Sequence, residues 1–227
     1  MHSIVERLRA DLATHADPTA ADGMQRYMKS AMPFRGVAKP GRQRLLRAAL
    51  TAHPLPDAAA LDAAARELWD GAQFREERYL ALSLTGHHRH VRWLDPSWLP
   101  LLRHWIVTGD WWDFTDEIAS RRIGRLLRAD PGALRPVLQA WSTDENRWLR
   151  RTAVICQLAS GPTTDTALLT EAIEANLADP DFFLRKGIGW ALRQHTRTDP
   201  AWVRAFVAAH PDLSPLSRRE ALRHLDR

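Results

Sequence analysis

Apolar positions recur at spacings of three and four along most of the chain, as the segments 45–50 and 134–141 illustrate. This spacing places the apolar side chains on one face of an α-helix. No run of alternating β-branched and polar residues, the pattern typical of a half-buried strand, interrupts it. The chain is therefore predicted to be all-α.

Turns that contain Pro or Gly separate the predicted helices. Some of them are Asp-Pro pairs, and each pair predicts a helix start because Asp caps the first turn and Pro has the φ that this turn requires. Among these are the pairs that begin at Asp95, Asp130, Asp179 and Asp199. Near the C-terminus, Ser217 and Glu220 have the spacing of a capping box and predict the start of the last helix.

A short motif repeats along the chain. Asp144 followed by WLRR at 148–151 matches Asp179 followed by FLRK at 183–186, at an offset of 35 residues. Aromatic residues continue a spacing of 35–37 residues upstream, at Trp111 and Phe74, so we expect an aromatic residue to open a helix at each step. Two helices per repeat of this length indicate a HEAT-like α-solenoid, in which helical hairpins form a curved superhelix. We predict one such domain over residues 1–227; the alternative is a helical bundle with chance spacing.

The charge of the chain comes almost wholly from arginine. Among 227 residues there are 32 basic and 27 acidic ones, a net charge of +5, and the lysines are only Lys29, Lys39 and Lys186. A planar, permanently charged guanidinium suits phosphate better than an ammonium does, which favours a polyanionic partner. A codon bias of the genome is the alternative source of these arginines.

Basic residues fall on single faces of three predicted helices, and one of these stripes contains Trp190. The stripes consist of Arg121, Arg125 and Arg128, then Arg147 and Arg151, and then Lys186, Trp190, Arg193 and Arg197. Equivalent faces of successive solenoid repeats point the same way, so these stripes predict a basic concave groove, a pattern typical of nucleic-acid binding. The alternative is that each stripe is an ordinary solvated helix face.

The predicted groove contains the carboxylate of Asp116. A carboxylate there would repel phosphate, so its presence needs an explanation. Trp112 and Asp116 lie four residues apart and therefore on one helix face. Asp116 is a candidate for chemistry. The alternative is that it offsets the helix dipole or pairs with Arg121 or Arg122.

Several other classes of site are not expected. Cys156 is the single cysteine and lies in an apolar run, so we expect a core residue and no disulfide within the chain. The segment 87–90 (HHRH) has no acidic ligand beside it, and we expect neither a metal site nor a cofactor. No apolar run reaches the ~18 residues of a membrane span. We therefore expect a cytoplasmic protein with no membrane partner.

Seven short motifs occur in one order along the chain: RYMK at 26–29, FRGVAKPGR at 34–42, ELWD at 67–70, WWDFTD at 111–116, WLRR at 148–151, IGWALR at 188–193 and LSRREA at 216–221. In these motifs the chain resembles the AlkD family of bacterial DNA alkylation-repair glycosylases. The segment 37–40 departs from the family, because it has small and basic residues where polar ones are common.

The resemblance implies a monomeric, nucleoid-associated glycosylase that removes 3-methyladenine and 7-methylguanine from duplex DNA. The family's site residues fall on Trp112, Asp116 and Trp190, its N-terminal tyrosine on Tyr27, and its phosphate-binding arginine on Arg151. We expect further DNA contacts from basic residues of the motifs and stripes. These are Lys39, Arg42, Lys186, Arg193, Arg218 and Arg219.

The implied chemistry agrees with a site that has one carboxylate. An alkylated purine already carries a positive charge, so it needs no general acid, unlike ordinary glycoside hydrolysis. A fixed anion ~4 Å from the oxocarbenium-like sugar is worth roughly 4 kcal/mol at an effective dielectric constant of 20, about a thousandfold in rate. The alternative function is a non-catalytic HEAT-like scaffold that binds DNA structures or a protein partner.

Overall fold

The computed structural model describes residues 3–223 and residue 225. The α-helices are α1 (Ser3–Thr14), α2 (Pro18–Met28), α3 (Lys39–Ala52), α4 (Ala58–Asp70), α5 (Arg75–Thr85), α6 (Leu99–Gly109), α7 (Trp112–Ile118), α8 (Gly124–Ala129), α9 (Pro131–Ser142), α10 (Arg147–Ile155), α11 (Thr166–Glu174), α12 (Phe182–His195), α13 (Pro200–Ala209) and α14 (Pro215–Leu222). Short 3-10 turns lie at Val91–Trp93, Pro96–Trp98 and Gly161–Thr163, and a π-helical segment joins α7 to α8 at Ala119–Ile123. Within these described residues there is no strand, which confirms the all-α prediction.

Tertiary contacts divide the chain into two compact units, of which the first ends at Leu94 and the second begins at Asp95. In the first unit, α1 packs on α3 and α4, and α5 packs on the same two helices. Its core contains fully buried Leu8, Leu68 and Leu80.

A buried carboxylate fixes the loop that leads into α3. Glu76 is fully buried and accepts backbone N–H bonds from Arg35, Gly36 and Val37 at 2.9–3.1 Å. Gly36 has a φ of +88°, and a Cβ there would lie 2.0 Å from the carbonyl oxygen of Asp17. The FRGV motif thus encodes a rigid entry to α3.

The second unit consists of two layers of helices. In one layer α7, α10, α12 and α14 pack on one another in that order. In the other layer, α6 packs on α7 and α10, α9 on α8 and α10, and α13 on α12 and α14. Successive helical hairpins stacked in two layers are the α-solenoid arrangement that the repeat predicted.

The repeated aromatic residues mark helix starts, as predicted. Phe74 and Trp111 are the N-cap residues of α5 and α7, and Trp148 and Phe183 are the second residues of α10 and α12. In the second unit the rings of Trp111, Trp148 and Phe183 contact one another, with centroids 5.1–6.3 Å apart. The repeat motif therefore supplies the contact between successive hairpins.

Two predicted helix starts are wrong. At Asp179-Pro180 the helix begins later, because the side chain of Asp181 caps α12 while Asp179 forms an ion pair with Arg150 at 2.8 Å. Near the C-terminus, Ser214 accepts the N–H of Ser217 and α14 begins at Pro215, so the predicted capping box does not form. The pairs at Asp95, Asp130 and Asp199 do cap helices.

Cys156 is completely buried, as predicted, and burial raises the pKa of its thiol to about 12.

Within the described residues, no helix has the length and apolar character needed to cross a membrane. The same residues contain no group of three or more His, Cys, Asp or Glu side chains placed to hold a metal ion.

Candidate active site and DNA-contact residues

The best-defined polar contact of the second unit joins α7 to α10. Arg151 donates from Nε to Oδ1 of Asp116 at 2.8 Å and from Nη2 to Oδ2 at 2.9 Å. The Arg151 side chain is 4% exposed and the Asp116 side chain 17% exposed. A two-bond arginine–carboxylate contact with this degree of burial fixes the plane and the charge of the carboxylate.

Arg151 also contacts α12, because its Nη1 donates to the carbonyl oxygen of Phe183. Gly187 lies one turn further along α12, and a Cβ at this position would lie 2.9 Å from Nη1 of Arg151. The glycine therefore leaves the space that the guanidinium occupies. One arginine side chain of α10 thus contacts both neighbouring helices of its layer, α7 and α12.

The environment of Asp116 shifts its pKa above the ordinary value of 3.8. Burial is the largest cause, the bonds and charge of Arg151 act in the opposite direction, and Asp113 adds a smaller increase. Burial thus disfavours the charged carboxylate, and the Arg151 cation partly compensates for this. A fixed charge of this kind acts more strongly on a nearby developing cation than a hydrated carboxylate does.

Neither arginine of the π-helical segment that follows α7 pairs with Asp116. Arg122 donates to Glu117 at 3.0 Å, and Arg121 lies 3.5 Å from the same carboxylate. The hypothesis that Asp116 pairs with Arg121 or Arg122 is therefore wrong. The physical reason is that Glu117 takes both arginines, while Asp116 points to the next hairpin.

Both predicted site tryptophans lie on the helices that Arg151 contacts. Trp112 is the first residue of α7, one turn before Asp116, and is partly exposed. Trp190 is partly exposed on α12, one turn after Gly187. The arrangement can present two indole faces on the helices that flank the Asp116–Arg151 pair, which is suited to a cationic group.

Comparisons with known proteins identify the family of the chain. A family model described as DNA alkylation repair enzyme matches residues 8–225. The chain belongs to this DNA alkylation repair family. A solved structure of a predicted DNA alkylation repair enzyme from Enterococcus faecalis is similar at 29% sequence identity and a TM-score of 0.84, over 93% of this chain and 97% of that chain. None of the curated proteins matches the chain.

In this DNA alkylation repair protein, two of the predicted DNA-contact residues are joined by one carboxylate. Lys186 and Arg193 of α12 both form ion pairs with Glu220 of α14, the lysine at 2.7 Å. Burial raises the pKa of Glu220, but Lys186 and Arg193 outweigh this and the net shift is downward. Any phosphate that binds these two cations competes with Glu220.

The other predicted DNA-contact residues have different environments. Arg218 donates to the carbonyl oxygens of Val207 and His210 at the end of α13, whereas Arg219 is exposed. In the first unit, Tyr27 is 76% exposed on α2 and Lys39 is exposed at the start of α3. Arg42 donates to the carbonyl oxygen of Val37 at 2.6 Å, and its guanidinium lies 4.4 Å from the ring centre of Tyr79. Their contacts with DNA stay predictions.

Sequence reasoning missed Arg151 as the partner of Asp116, because the repeat gives only an approximate register. Alignment of Trp111 with Trp148 makes Arg151 equivalent to Phe114, two residues before Asp116. Glu220 was also missed as a partner of Lys186, and no repeat of the motif points to it.

Proposed function

We propose that this protein is a DNA glycosylase that hydrolyses the N-glycosidic bond of cationic alkylated purines, 3-methyladenine and 7-methylguanine, in duplex DNA. It acts as a monomer in the cytoplasm and begins base excision. Membership of the DNA alkylation repair family supports DNA repair as the process. The Asp116–Arg151 pair is the observation that carries the choice of reaction.

The reaction needs stabilisation of a sugar cation and a leaving group that departs readily. As the bond between C1′ and the purine nitrogen breaks, its electron pair neutralises the charge of the alkylated purine. Positive charge then develops on the deoxyribose. Asp116 supplies the fixed anion beside it, with its plane set by Arg151. Water adds to C1′, and its proton passes to the Asp116 carboxylate.

The two tryptophans favour the cationic substrate over a normal purine. The indole faces of Trp112 and Trp190 attract a positively charged ring or sugar by roughly 0.5–2 kcal/mol each. An unmodified purine lacks this charge and is also a poor leaving group without protonation. Selectivity therefore comes from the charge of the lesion and does not require a deep pocket that encloses the base.

The Asp116→Asn variant tests this function. We expect it to bind methylated duplex DNA as the wild type does and to release 7-methylguanine about a thousandfold more slowly, since roughly 4 kcal/mol of charge stabilisation is lost. The measurement is mass spectrometry of released bases under single-turnover conditions with saturating protein.

The matched control is Asp113→Asn, which removes one carboxylate from the first turn of the same helix. Its release rate at neutral pH is expected to stay within a few-fold of that of the wild type. Equal rates for the Asp116→Asn variant and the wild type would contradict the assignment of Asp116. A wild-type protein that binds methylated and unmodified duplexes but releases no base would instead support the scaffold function.

A further inference from the structure

Several basic side chains of the first unit lie beyond the C-terminal end of α5, away from the site described above in the sequence. The turn 87–90 (HHRH) follows this helix and runs into the 3-10 turn Val91–Trp93. A cavity of about 210 Å³ opens here. Its wall includes Leu50, Leu55 and Trp93, and its rim includes His88, Arg89 and Arg92. We call it the His-Arg cavity.

The two arginines that line the His-Arg cavity, Arg89 and Arg92, are not neutralised by carboxylates. Within the described residues, neither they nor Arg47, whose charge acts on His87, form an ion pair, whereas other arginines of this unit do. Arg66, for example, bonds to Asp62 at 2.8 Å. Cations beyond a helix C-terminus are favourable because of the helix dipole. The helix dipole explains the basic residues in the turn after α5, but it does not explain Arg47, which lies within α3.

The charged groups at this cavity are basic. Arg89 and Arg92 line it together with His88 and His90, and no carboxylate is among its lining residues. The neighbouring His87 has its pKa lowered to about 4, first by burial and then by the charges of His88, His90, Arg89 and Arg47. Two arginines without a paired carboxylate attract an anion to the cavity.

The rim is also held in place before any ligand binds. Nδ1 of His90 lies 2.8 Å from the carbonyl oxygen of Leu84, and its ring stacks on Trp93 with centroids 5.3 Å apart and planes 10° apart. The guanidinium of Arg92 lies 5.2 Å from the centre of the same indole. Side chains that are already ordered lose less conformational entropy on binding.

We propose that the His-Arg cavity binds a phosphodiester group of duplex DNA. Arg89 and Arg92 contact the phosphate oxygens, and the apolar face of the adjoining deoxyribose lies against Leu50, Leu55 and Trp93. The site adds affinity and takes no part in bond cleavage. This inference rests on the proposed function only in taking duplex DNA as the partner.

The test uses the double variant Arg89→Gln/Arg92→Gln of the full chain. Its control is Arg7→Gln/Arg66→Gln, which removes the same charge from two exposed arginines of the same unit that are already paired with Asp11 and Asp62. The measurement is the dissociation constant for an unmodified duplex between 50 and 200 mM salt, by fluorescence anisotropy. Thermal unfolding establishes that both variants fold.

Each phosphate contact contributes about 0.9 to the slope of log K against log salt concentration. We expect the slope of the Arg89→Gln/Arg92→Gln variant to be less steep by about 1–2. The control is expected to keep the wild-type slope. Single-turnover base release by the wild type is measured in parallel and tests the glycosylase function separately.

Equal slopes for the test variant and the control would overturn the proposed DNA site at the cavity. If the salt slope of the test variant is less steep but the wild type releases no base, the cavity binds DNA and the glycosylase function is wrong. If the wild type releases base but test variant and control have equal salt slopes, the glycosylase function holds and the cavity site is wrong. The two proposals therefore fail in different measurements.

Discussion

Arg151 and Asp116 form a two-bond ion pair in which Nε meets Oδ1 at 2.8 Å and Nη2 meets Oδ2 at 2.9 Å. The pair has no net charge, so it repels a DNA phosphate far less than a free carboxylate would. At short range, however, the carboxylate still presents a fixed negative charge. This arrangement removes the difficulty of an acidic residue among phosphate-binding groups.

Arg151→Lys tests whether the guanidinium acts mainly through Asp116. A lysine ammonium cannot bond both carboxylate oxygens in the same plane. We expect base release to fall about 10–100-fold and the pKa of Asp116 to rise, with the salt dependence of DNA binding nearly unchanged. The measurement is base release as a function of pH together with the salt slope. A phosphate-binding Arg151, as the family resemblance implies, would instead lower affinity and leave the pH profile in place.

Removing the cation altogether has a larger effect on stability. Arg151→Gln leaves a mostly buried carboxylate without its partner, and breaking such a pair costs about 3 kcal/mol. Urea unfolding of this variant and of the wild type measures the difference. Surface substitutions typically change the free energy of unfolding by roughly 0.5 kcal/mol. A difference between variant and wild type no larger than this would contradict the structural role of the pair.

The pH dependence of base release follows from the raised pKa of Asp116. Catalysis needs the ionised carboxylate, so the rate falls as the pH drops through a pKa that lies above the ordinary 3.8. The pKa of Asp116 is higher in the folded protein than in the unfolded one, so ionisation of Asp116 lowers the free energy of unfolding. This loss of stability develops as the pH rises through the folded-state pKa. Asp113 raises the pKa of Asp116, so Asp113→Asn is expected to move the acid limb to lower pH. The check is single-turnover release from pH 4 to 8 after subtraction of the uncatalysed rate.

Gly187→Ala tests how closely α12 packs on the ion pair. The added methyl group would lie 2.9 Å from Nη1 of Arg151 and would push the guanidinium away from Asp116. We expect a loss of about 1–3 kcal/mol in stability, typical of overpacking, and a fall in base release that persists at saturating DNA. The control is Gly23→Ala in α2, where no atom lies within 4 Å of the added methyl group. That change is expected to raise stability by about 0.5–1 kcal/mol and to leave release unchanged.

How far the sequence predicts this protein is clearest at the repeat. The period of 35–37 residues and the aromatic residues at helix starts predicted the stacked hairpins, because identical local packing must recur at each step. The failures at Asp179 and Ser217 have a common cause. Alternative caps lie nearby in both cases, at Asp181 and Ser214, and hydrogen-bond geometry alone decides between them.

The site itself was only half predictable. Asp116 stood out as a carboxylate among arginines, but its partner could be chosen only by knowing which residues face one another across two helices. The sequence left Arg121 and Arg122 open as partners, but Glu117 pairs with both of them. Contacts between helices override short-range spacing wherever two partners compete.

Glu220→Gln tests whether Lys186 and Arg193 contact DNA. The wild-type carboxylate neutralises both cations, and a glutamine removes that charge while keeping the size of the side chain. We expect DNA to bind several-fold more tightly at low salt, with a salt slope steeper by up to about 1–2 because two cations become available to phosphate. The control is Glu174→Gln on α11, which removes an exposed carboxylate paired with His210. If both variants bind DNA with the same slope as the wild type, Lys186 and Arg193 do not face the phosphate backbone.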